Sequence, residues 1–384
     1  MKKLVLQILF LTLFAILSIN SIAQNNSRLR ISLLTCAPGQ ELSETFGHSA
    51  FRVIDSNAVT DHVYNYGIFP FYEKGFYLKF MRGKLKYSVE VEQFEDFKQN
   101  YLFQNRSIRE QILHLSETEK KEIYHYLLEN IKEENKYYQY DFFLDNCTTR
   151  LRDIVKKYHK PSPTLPAVMP TYYTFRNAIH QYLDYNNAHW SKFGIDILLG
   201  ARTDAVMTIE QQEFLPDNLM RAFDSTKNTS LVLASQNIFL FEKPNKKSVV
   251  FTPLICTTLF LFLFIFLNFY KNNTRQKILK KLDFFLFFIV GLLGILLVFM
   301  WLGTDHSMTK DNYNLLWAWP IFVVYAFYIN KNSKSVKTFS VLVLIYMILL
   351  LCSWFFLPQQ MNNGLLPVLV LMAWRSGKCF FNIK

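Results

Sequence analysis

A cysteine and a histidine in the first half of the chain have the surroundings of a thiol catalytic pair. Cys147 follows Asp145 and Asn146, either of which is a natural N-cap residue, and apolar residues recur at helical spacing after it. In the first turn of a helix, unpaired N–H groups and the helix dipole favour the thiolate. A thiol nucleophile also needs a base, and His48, which follows Gly47 in a strand-like segment, is the candidate. Together these residues predict nucleophilic catalysis through sulfur.

A third candidate, Asn65, depends on a predicted β-hairpin. Residues 46–54 and 61–69 have strand character, and the residues between them have turn chemistry. In this hairpin Ala50 lies opposite Asn65, so that Asn65 shares a face with His48. Asn65 could then accept the second ring N–H of His48 and fix its tautomer, as the third residue does in Cys-His-Asn sites.

Other interpretations of these residues stay open at this stage. Cys147 could be an inert buried thiol, or it could form a disulfide with Cys36, the second cysteine of the same region. A metal site is not predicted, because neither Cys-x-x-Cys nor His-x-x-x-His spacing occurs. No cofactor is predicted either.

The elements that must position these residues indicate an α+β domain with a short antiparallel sheet. Residues 29–37 form an additional apolar, strand-like run. Residues 116–132 have a helical pattern that begins with a capping box of Ser116 and Glu119. A break with four prolines at 160–170 separates the Cys147 helix from a further helix at 171–185.

The charge of the chain is distributed unevenly along its length. The 384 residues carry a net charge of +12. Residues 1–23 have the basic start, apolar run and small residues of a signal peptide, although a retained membrane anchor is the alternative. Residues 24–248 are nearly neutral and form the predicted exported domain, whereas residues 249–384 are strongly apolar and carry most of the positive charge. A nucleic-acid partner is therefore not expected.

The last third of the chain predicts a membrane domain of about five transmembrane helices. Its apolar runs cover 249–270, 283–303, 313–329, 338–357 and 364–374. The fifth run is short for a full span. Basic residues concentrate in the loops 271–281 and 330–337 and in the tail, which the positive-inside rule assigns to the cytoplasm. We expect a multi-pass protein of the bacterial inner membrane, with its catalytic domain in the periplasm.

Three motifs together resemble a known family. They are Gly47-His48-Ser49-Ala50, Tyr64-Asn65-Tyr66-Gly67 and Asp145-Asn146-Cys147-Thr148-Thr149-Arg150. They are similar to the exported domain of the Lnb-type lipoprotein N-acyltransferases. The order of histidine before cysteine also resembles the permuted NlpC/P60-like, papain-like enzymes. The resemblance implies a papain-like α+β exported domain followed by an all-α transmembrane bundle.

The resemblance also implies an activity. The protein would transfer an acyl chain from a membrane phospholipid, through a thioester on Cys147, to the N-terminal amine of a diacylglyceryl-cysteine lipoprotein. Arg52, Arg150 or Arg82 could hold a phosphate head group, or they could form structural ion pairs, and His306 could contact the site or be an interfacial polar residue. Two alternatives remain: a periplasmic thiol hydrolase of peptidoglycan peptides, and a non-enzymatic membrane receptor or assembly factor.

Overall fold

The computed structural model describes residues 28–69, 72, 74–242, 249–269 and 272–381. The predicted signal peptide at 1–23 lies outside the described residues. Among them, one antiparallel sheet has seven strands in the order β6-β4-β3-β2-β1-β5-β7. The strands are β1 Leu29–Cys36, β2 His48–Asp55, β3 Thr60–Ile68, β4 Lys86–Gln93, β5 Ile108–Leu113, β6 Tyr137–Gln139 and β7 Val232–Phe239.

The three predicted strands and their hairpin are confirmed. Strands β2 and β3 pair with Phe51 opposite Tyr64, and this register continues to Ala50 and Asn65, as predicted. Strands β4 to β7 were not predicted from the sequence. The reason is visible in β4, whose residues include Glu90 and Glu92 and which therefore lacks an apolar run.

Helices of the exported part cover both faces of the sheet. They are α1 Phe76–Met81, α2 Phe94–Phe103, α3 Glu117–Asn130, α4 Cys147–Tyr158, α5 Phe175–Tyr185, α6 His189–Leu198 and α7 Pro216–Asp224. Because side chains of a strand alternate between faces, Leu33 and Phe51 pack in a cluster with Leu151 of α4. Leu34 packs on the other face with Phe97 of α2.

Helix starts agree with the capping signals in the sequence. The Ser116 side chain accepts the N–H of Glu119, and the Glu119 carboxylate accepts the N–H of Ser116, so the predicted capping box of α3 is confirmed. Helix α4 begins at Cys147 behind its N-cap Asn146. Cys147 therefore lies in the first helical turn, as predicted from the sequence, and it is the first residue of the helix.

The last third of the chain is helical and apolar. Its helices are α8 Pro253–Phe269, α9 Asn273–Leu302, α10 Phe322–Tyr328, α11 Lys334–Ser353 and α12 Leu366–Phe381. Two helical stretches of the described chain, Asn273–Leu302 and Lys334–Phe356, are long and apolar enough to cross a membrane, and α8 is a shorter apolar helix. Arg375, in the basic tail of the sequence, is buried and donates to the Asp283 carboxylate at 2.6 and 2.7 Å.

The run 313–329 differs from a continuous helix. A 3-10 turn at Tyr313–Leu316 precedes an irregular stretch, and regular helix covers only Phe322–Tyr328. Pro320 in this stretch cannot donate a backbone hydrogen bond. The stretch instead packs closely on α9, because a Cβ atom at Gly294 would lie 2.1 Å from the carbonyl oxygen of Ala318.

Hydrogen bonds join the exported domain to the loops between the apolar helices. The side-chain amides of Asn312 and Asn314 donate to the carbonyl oxygens of Ile197 and Asp196 at 2.8 and 3.0 Å. The amide of Asn362, from the loop before α12, donates to the Asp196 carboxylate at 2.8 Å. These contacts are buried or nearly so, and they hold the two parts of the chain together.

Candidate active site

The N-cap residue of α4 fixes the position of Cys147. Asn146 Oδ1 accepts the backbone N–H groups of Thr148 and Thr149 at 2.8 and 2.9 Å. Its Nδ2 donates to the carbonyl oxygens of Phe142 and Phe214 at 2.7 and 2.9 Å. One side chain therefore starts the helix and ties its first turn to two other segments. The Cys147 side chain beside it is buried, with 9% of the residue exposed.

His48 and Asn65 are brought together as the hairpin register requires. The distance from His48 Nε2 to Asn65 Oδ1 is 2.6 Å, and Asn65 Nδ2 donates to Glu92 Oε1 at 3.0 Å. Because a carboxylate only accepts, Glu92 orients the amide so that its oxygen faces the imidazole. His48 then donates from Nε2, and Nδ1 is left to accept the proton of Cys147.

The thiol and the imidazole change each other's pKa. Burial raises the pKa of Cys147, but the charge of His48, a hydrogen bond with His48 and the N–H of Ser49 lower it, and the result is a pKa of about 7. Burial lowers the pKa of His48, but the charge and hydrogen bond of Cys147 and the hydrogen bond to Asn65 outweigh it and raise it overall. Near neutral pH this favours a thiolate beside an imidazolium.

Cys36 lies next to this pair without being joined to it. It is opposite His48 in the β1–β2 ladder, and both Cys36 and Cys147 are free thiols. Burial raises the pKa of Cys36 to about 12. Since the thiolate is the reactive form of a cysteine, Cys36 is unreactive near neutral pH.

Two glycines shape the space around the thiol. Gly47 has φ +79°, and a Cβ atom there would lie 2.7 Å from the carbonyl oxygen of Cys36. Gly67 has φ +93°, and its Cβ position lies 3.7 Å from the Cβ atom of Cys147. Both need the left-handed backbone region that glycine adopts readily. Gly67 also places no side chain next to Cys147.

Two of the three arginines considered for phosphate binding, Arg52 and Arg150, form ion pairs. Arg52 donates twice to Asp61, at 2.8 and 2.6 Å, and it also contacts Glu110 at 3.2 Å. Arg150 donates twice to Asp145, both at 2.7 Å. Binding of a head group by either residue stays a prediction, and it would require the guanidinium to share or exchange these partners.

His306 is placed at the junction of the two parts of the chain. Its Nε2 lies 3.0 Å from the carbonyl oxygen of Phe80. In the same loop, Ser307 donates to the Asp141 carboxylate at 2.6 Å. Asp141 starts the short turn that leads to Cys147. The loop therefore contacts the segment that holds the thiol, and direct contact of His306 with a substrate stays a prediction.

Sequence reasoning did not identify Glu92 or Ser49 as parts of the site. Glu92 lies on β4, a strand that was not predicted. Ser49 donates its backbone N–H to the thiol, and its hydroxyl oxygen accepts from the Thr148 hydroxyl at 3.2 Å. A backbone donor has no sequence signal, but alternation of polar and apolar residues in 86–93 could have revealed the strand. Within the described part of the chain, no cluster of three or more His, Cys, Asp or Glu residues could hold a metal ion.

Two family models match the chain. A model described as the Lnb N-terminal periplasmic domain matches residues 22–184, and one described as the Lnb transmembrane domain matches residues 244–384. The chain is an Lnb-type protein. It is a membrane protein with a periplasmic N-terminal region, and Cys147, His48 and Asn65 of this Lnb-type protein all lie within the periplasmic match.

The predicted papain-like topology is not tested by the comparisons with known proteins. No curated protein and no solved structure matches this Lnb-type chain significantly. The antiparallel sheet with helices and the apolar helical region are present, whereas a permuted papain-like topology stays a prediction.

Proposed function

We propose that the protein transfers an acyl chain from a membrane phospholipid to the N-terminal amine of a diacylglyceryl-cysteine lipoprotein. The observation that carries this proposal is the Cys147–His48–Asn65 arrangement in a periplasmic domain that is docked on a transmembrane domain. A thiolate with a base beside it suits acyl transfer, and the docking holds it near both lipid substrates.

The first half-reaction would acylate the enzyme. His48 Nδ1 takes the proton of the Cys147 thiol, and Sγ attacks the ester carbonyl carbon of the phospholipid. When the tetrahedral intermediate collapses, the ester C–O bond breaks, and the imidazolium donates its proton to the departing alkoxide. The products are a thioester on Cys147 and a lysophospholipid.

The second half-reaction would transfer the chain. His48, now neutral, takes a proton as the lipoprotein amine attacks the thioester carbonyl. The C–S bond then breaks, an amide forms, and the proton returns to sulfur. The Cys147 N–H has no acceptor within its helix, because it lies in the first turn, and it could stabilise the oxyanion in both steps.

The test is an acyl-transfer assay with the full chain in phospholipid vesicles. A synthetic diacylglyceryl-cysteine lipopeptide serves as acceptor, and mass spectrometry measures the added acyl chain and the lysophospholipid. We expect Cys147→Ala to abolish transfer and Cys36→Ala, the matched cysteine control, to retain it. Full transfer by Cys147→Ala would contradict the mechanism.

The same assay separates the alternatives. Without acceptor, the unaltered chain should accumulate an acyl group on Cys147 that hydroxylamine removes. A peptidoglycan-peptide hydrolase would instead cleave its peptide with no lipid present. A receptor or assembly factor would give neither product.

A further inference from the structure

The short helix α1 exposes apolar side chains that no part of the sheet covers. Tyr77, Leu78, Phe80 and Met81 are 77%, 56%, 51% and 46% exposed. Only Phe76, at the start of the helix, is buried among its six residues. Contiguous exposed apolar groups usually mark a contact with another apolar surface.

This helix contacts the chain where α9 ends. The N–H of Asp305 donates to the carbonyl oxygen of Arg82 at 2.9 Å, and His306 Nε2 lies 3.0 Å from the carbonyl oxygen of Phe80. Asp305 follows Leu302, the last residue of the 30-residue apolar helix α9, by three positions. Helix α1 therefore lies beside the end of a helix that is long and apolar enough to cross a membrane.

Aromatic rings begin beside the thiol and lead away from it. The Cβ position of Gly67 is 3.7 Å from both Cys147 Cβ and Tyr140 Cε2. Tyr140 stacks on Tyr87 with 4.3 Å between ring centroids. These stacked rings therefore adjoin the glycine that lies beside Cys147.

The same row of rings continues to α1. Tyr87 contacts Phe69 at 5.3 Å between centroids, and Phe69 contacts Phe76 at 5.9 Å. Phe76 stacks with Phe80 at 6.1 Å. The aromatic row thus runs from Tyr140, which adjoins Gly67 beside Cys147, to the exposed helix α1.

The segment around α1 is also strongly basic. Residues 74–86 contain five lysines and arginines and no acidic residue. Arg82 and Lys84 in this segment are exposed. Such a segment attracts the phosphate of a lipid head group, while the apolar side chains of α1 match the acyl region below it.

We propose that α1 is a phospholipid-binding element that inserts Tyr77, Leu78 and Met81 into the outer leaflet. Arg82 and Lys84 hold the lipid phosphate, and the aromatic row guides one acyl chain towards Cys147. Membrane insertion is independent of catalysis, whereas the guiding role rests on the proposed acyl transfer.

The test of insertion is photocrosslinking of the full chain in vesicles of phosphatidylethanolamine and phosphatidylglycerol with labelled acyl chains. The photoreactive residue p-benzoylphenylalanine replaces Leu78 in one variant and Val59 in the control. Val59 is 89% exposed and directly precedes the nine-residue strand β3. Gly67, the residue of this strand beside Cys147, is near its other end, about 25 Å from Val59 at ~3.3 Å per residue.

We expect the Leu78 variant to crosslink lipid about tenfold more than the Val59 variant, also when Cys147→Ala is added. Equal crosslinking at the two positions would overturn the proposal. Crosslinking at position 78 in a chain that fails the acyl-transfer assay would keep α1 as a lipid-binding element and would reject the proposed function instead.

The guiding role has its own test. Tyr87→Ser, which interrupts the aromatic row between Tyr140 and Phe69, should raise KM for the vesicle-bound donor by about fivefold or more, because an apolar contact along the path of the acyl chain is lost. Alkylation of Cys147 by iodoacetamide should keep its rate, which shows that the site is intact. An unchanged KM together with intact alkylation would overturn this role.

Discussion

The reactivity of Cys147 depends on opposing effects on its pKa. Burial favours the neutral thiol, whereas His48 and the Ser49 N–H favour the thiolate, and the second group prevails. The balance depends on His48 being held in one orientation by Asn65 and Glu92. Cys36 lies opposite His48 in the neighbouring strand, and there burial outweighs the stabilising effects of Tyr101 and Arg106 on the thiolate.

Removing the imidazole should reverse this balance at Cys147. In His48→Ala only burial and weaker donors act on the thiol, so its pKa should rise from about 7 to the ordinary value of 9.0 or above. At pH 7.5 the thiolate fraction, and with it the alkylation rate, should fall about 20-fold or more. Peptide mass spectrometry after iodoacetamide pulses at several pH values measures this.

The control is His125→Ala, which removes an exposed imidazole from α3. It should leave the alkylation profile unchanged. An unchanged apparent pKa in His48→Ala would show that the thiolate is stabilised by something other than this histidine.

At the scale of elements, the start of α4 depends on long-range as well as local contacts. Asn146 caps its own helix through Oδ1, and through Nδ2 it also binds Phe214, 68 residues further along the chain. The nucleophile is therefore fixed relative to the segment before α7. A cap that only satisfied the helix would leave the first turn less constrained.

Loss of the Asn146 cap should destabilise the protein more than loss of a cap that contacts only its own helix. Asn146→Ala removes the cap and leaves two carbonyl oxygens without their donor, and we expect about 2–3 kcal/mol of destabilisation. Ser116→Ala, the matched cap variant in α3, should cost about 1 kcal/mol. Only Asn146→Ala should slow Cys147 alkylation. Equal effects of both on alkylation would contradict the positioning role of Asn146.

The sequence predicts those parts of the site that rest on short-range signals. The turn between β2 and β3 fixes the Ala50–Asn65 register, and an N-cap residue marks the start of α4. Glu92 and the contact of Asn146 with Phe214 join residues 27 and 68 positions apart. Such pairs depend on which strands and segments become neighbours, and a single sequence carries no local pattern for that choice.

At the scale of the molecule, one buried carboxylate connects the two parts of the chain. Asp196 accepts from Arg176 at 2.9 Å and contacts His180 at 2.7 Å, both in the part of the chain before the apolar helices. It also accepts from Asn362 at 2.8 Å. Breaking a buried ion pair is costly, so this cluster stabilises the docked arrangement.

Close backbone packing next to this cluster gives a test of the docking. A Cβ atom at Gly200 would lie 1.9 Å from the carbonyl oxygen of Lys310. Gly200→Ala should therefore force the loop away, lower the thermal midpoint and reduce acyl transfer, while Cys147 alkylation keeps its pH profile. Gly194→Ala, where nothing lies within 4 Å, should be neutral or slightly stabilising.

Acyl transfer by Gly200→Ala at the full rate would show that the contact is dispensable. Loss of both transfer and alkylation would instead indicate a general folding defect. The two readouts therefore separate a docking defect from damage to the site.

The neighbouring Cys36 determines what happens when Cys147 is oxidised. A thiolate near neutral pH is the form that peroxide converts to a sulfenic acid, and rescue within the chain would need a second thiolate to form a disulfide. Cys36, with its pKa of about 12, does not supply one. We expect peroxide-treated protein to add oxygen at Cys147 without losing two hydrogens to a Cys36–Cys147 disulfide, as intact mass can show. Recovery of activity after oxidation of Cys147 would then depend on reductants supplied from outside the chain.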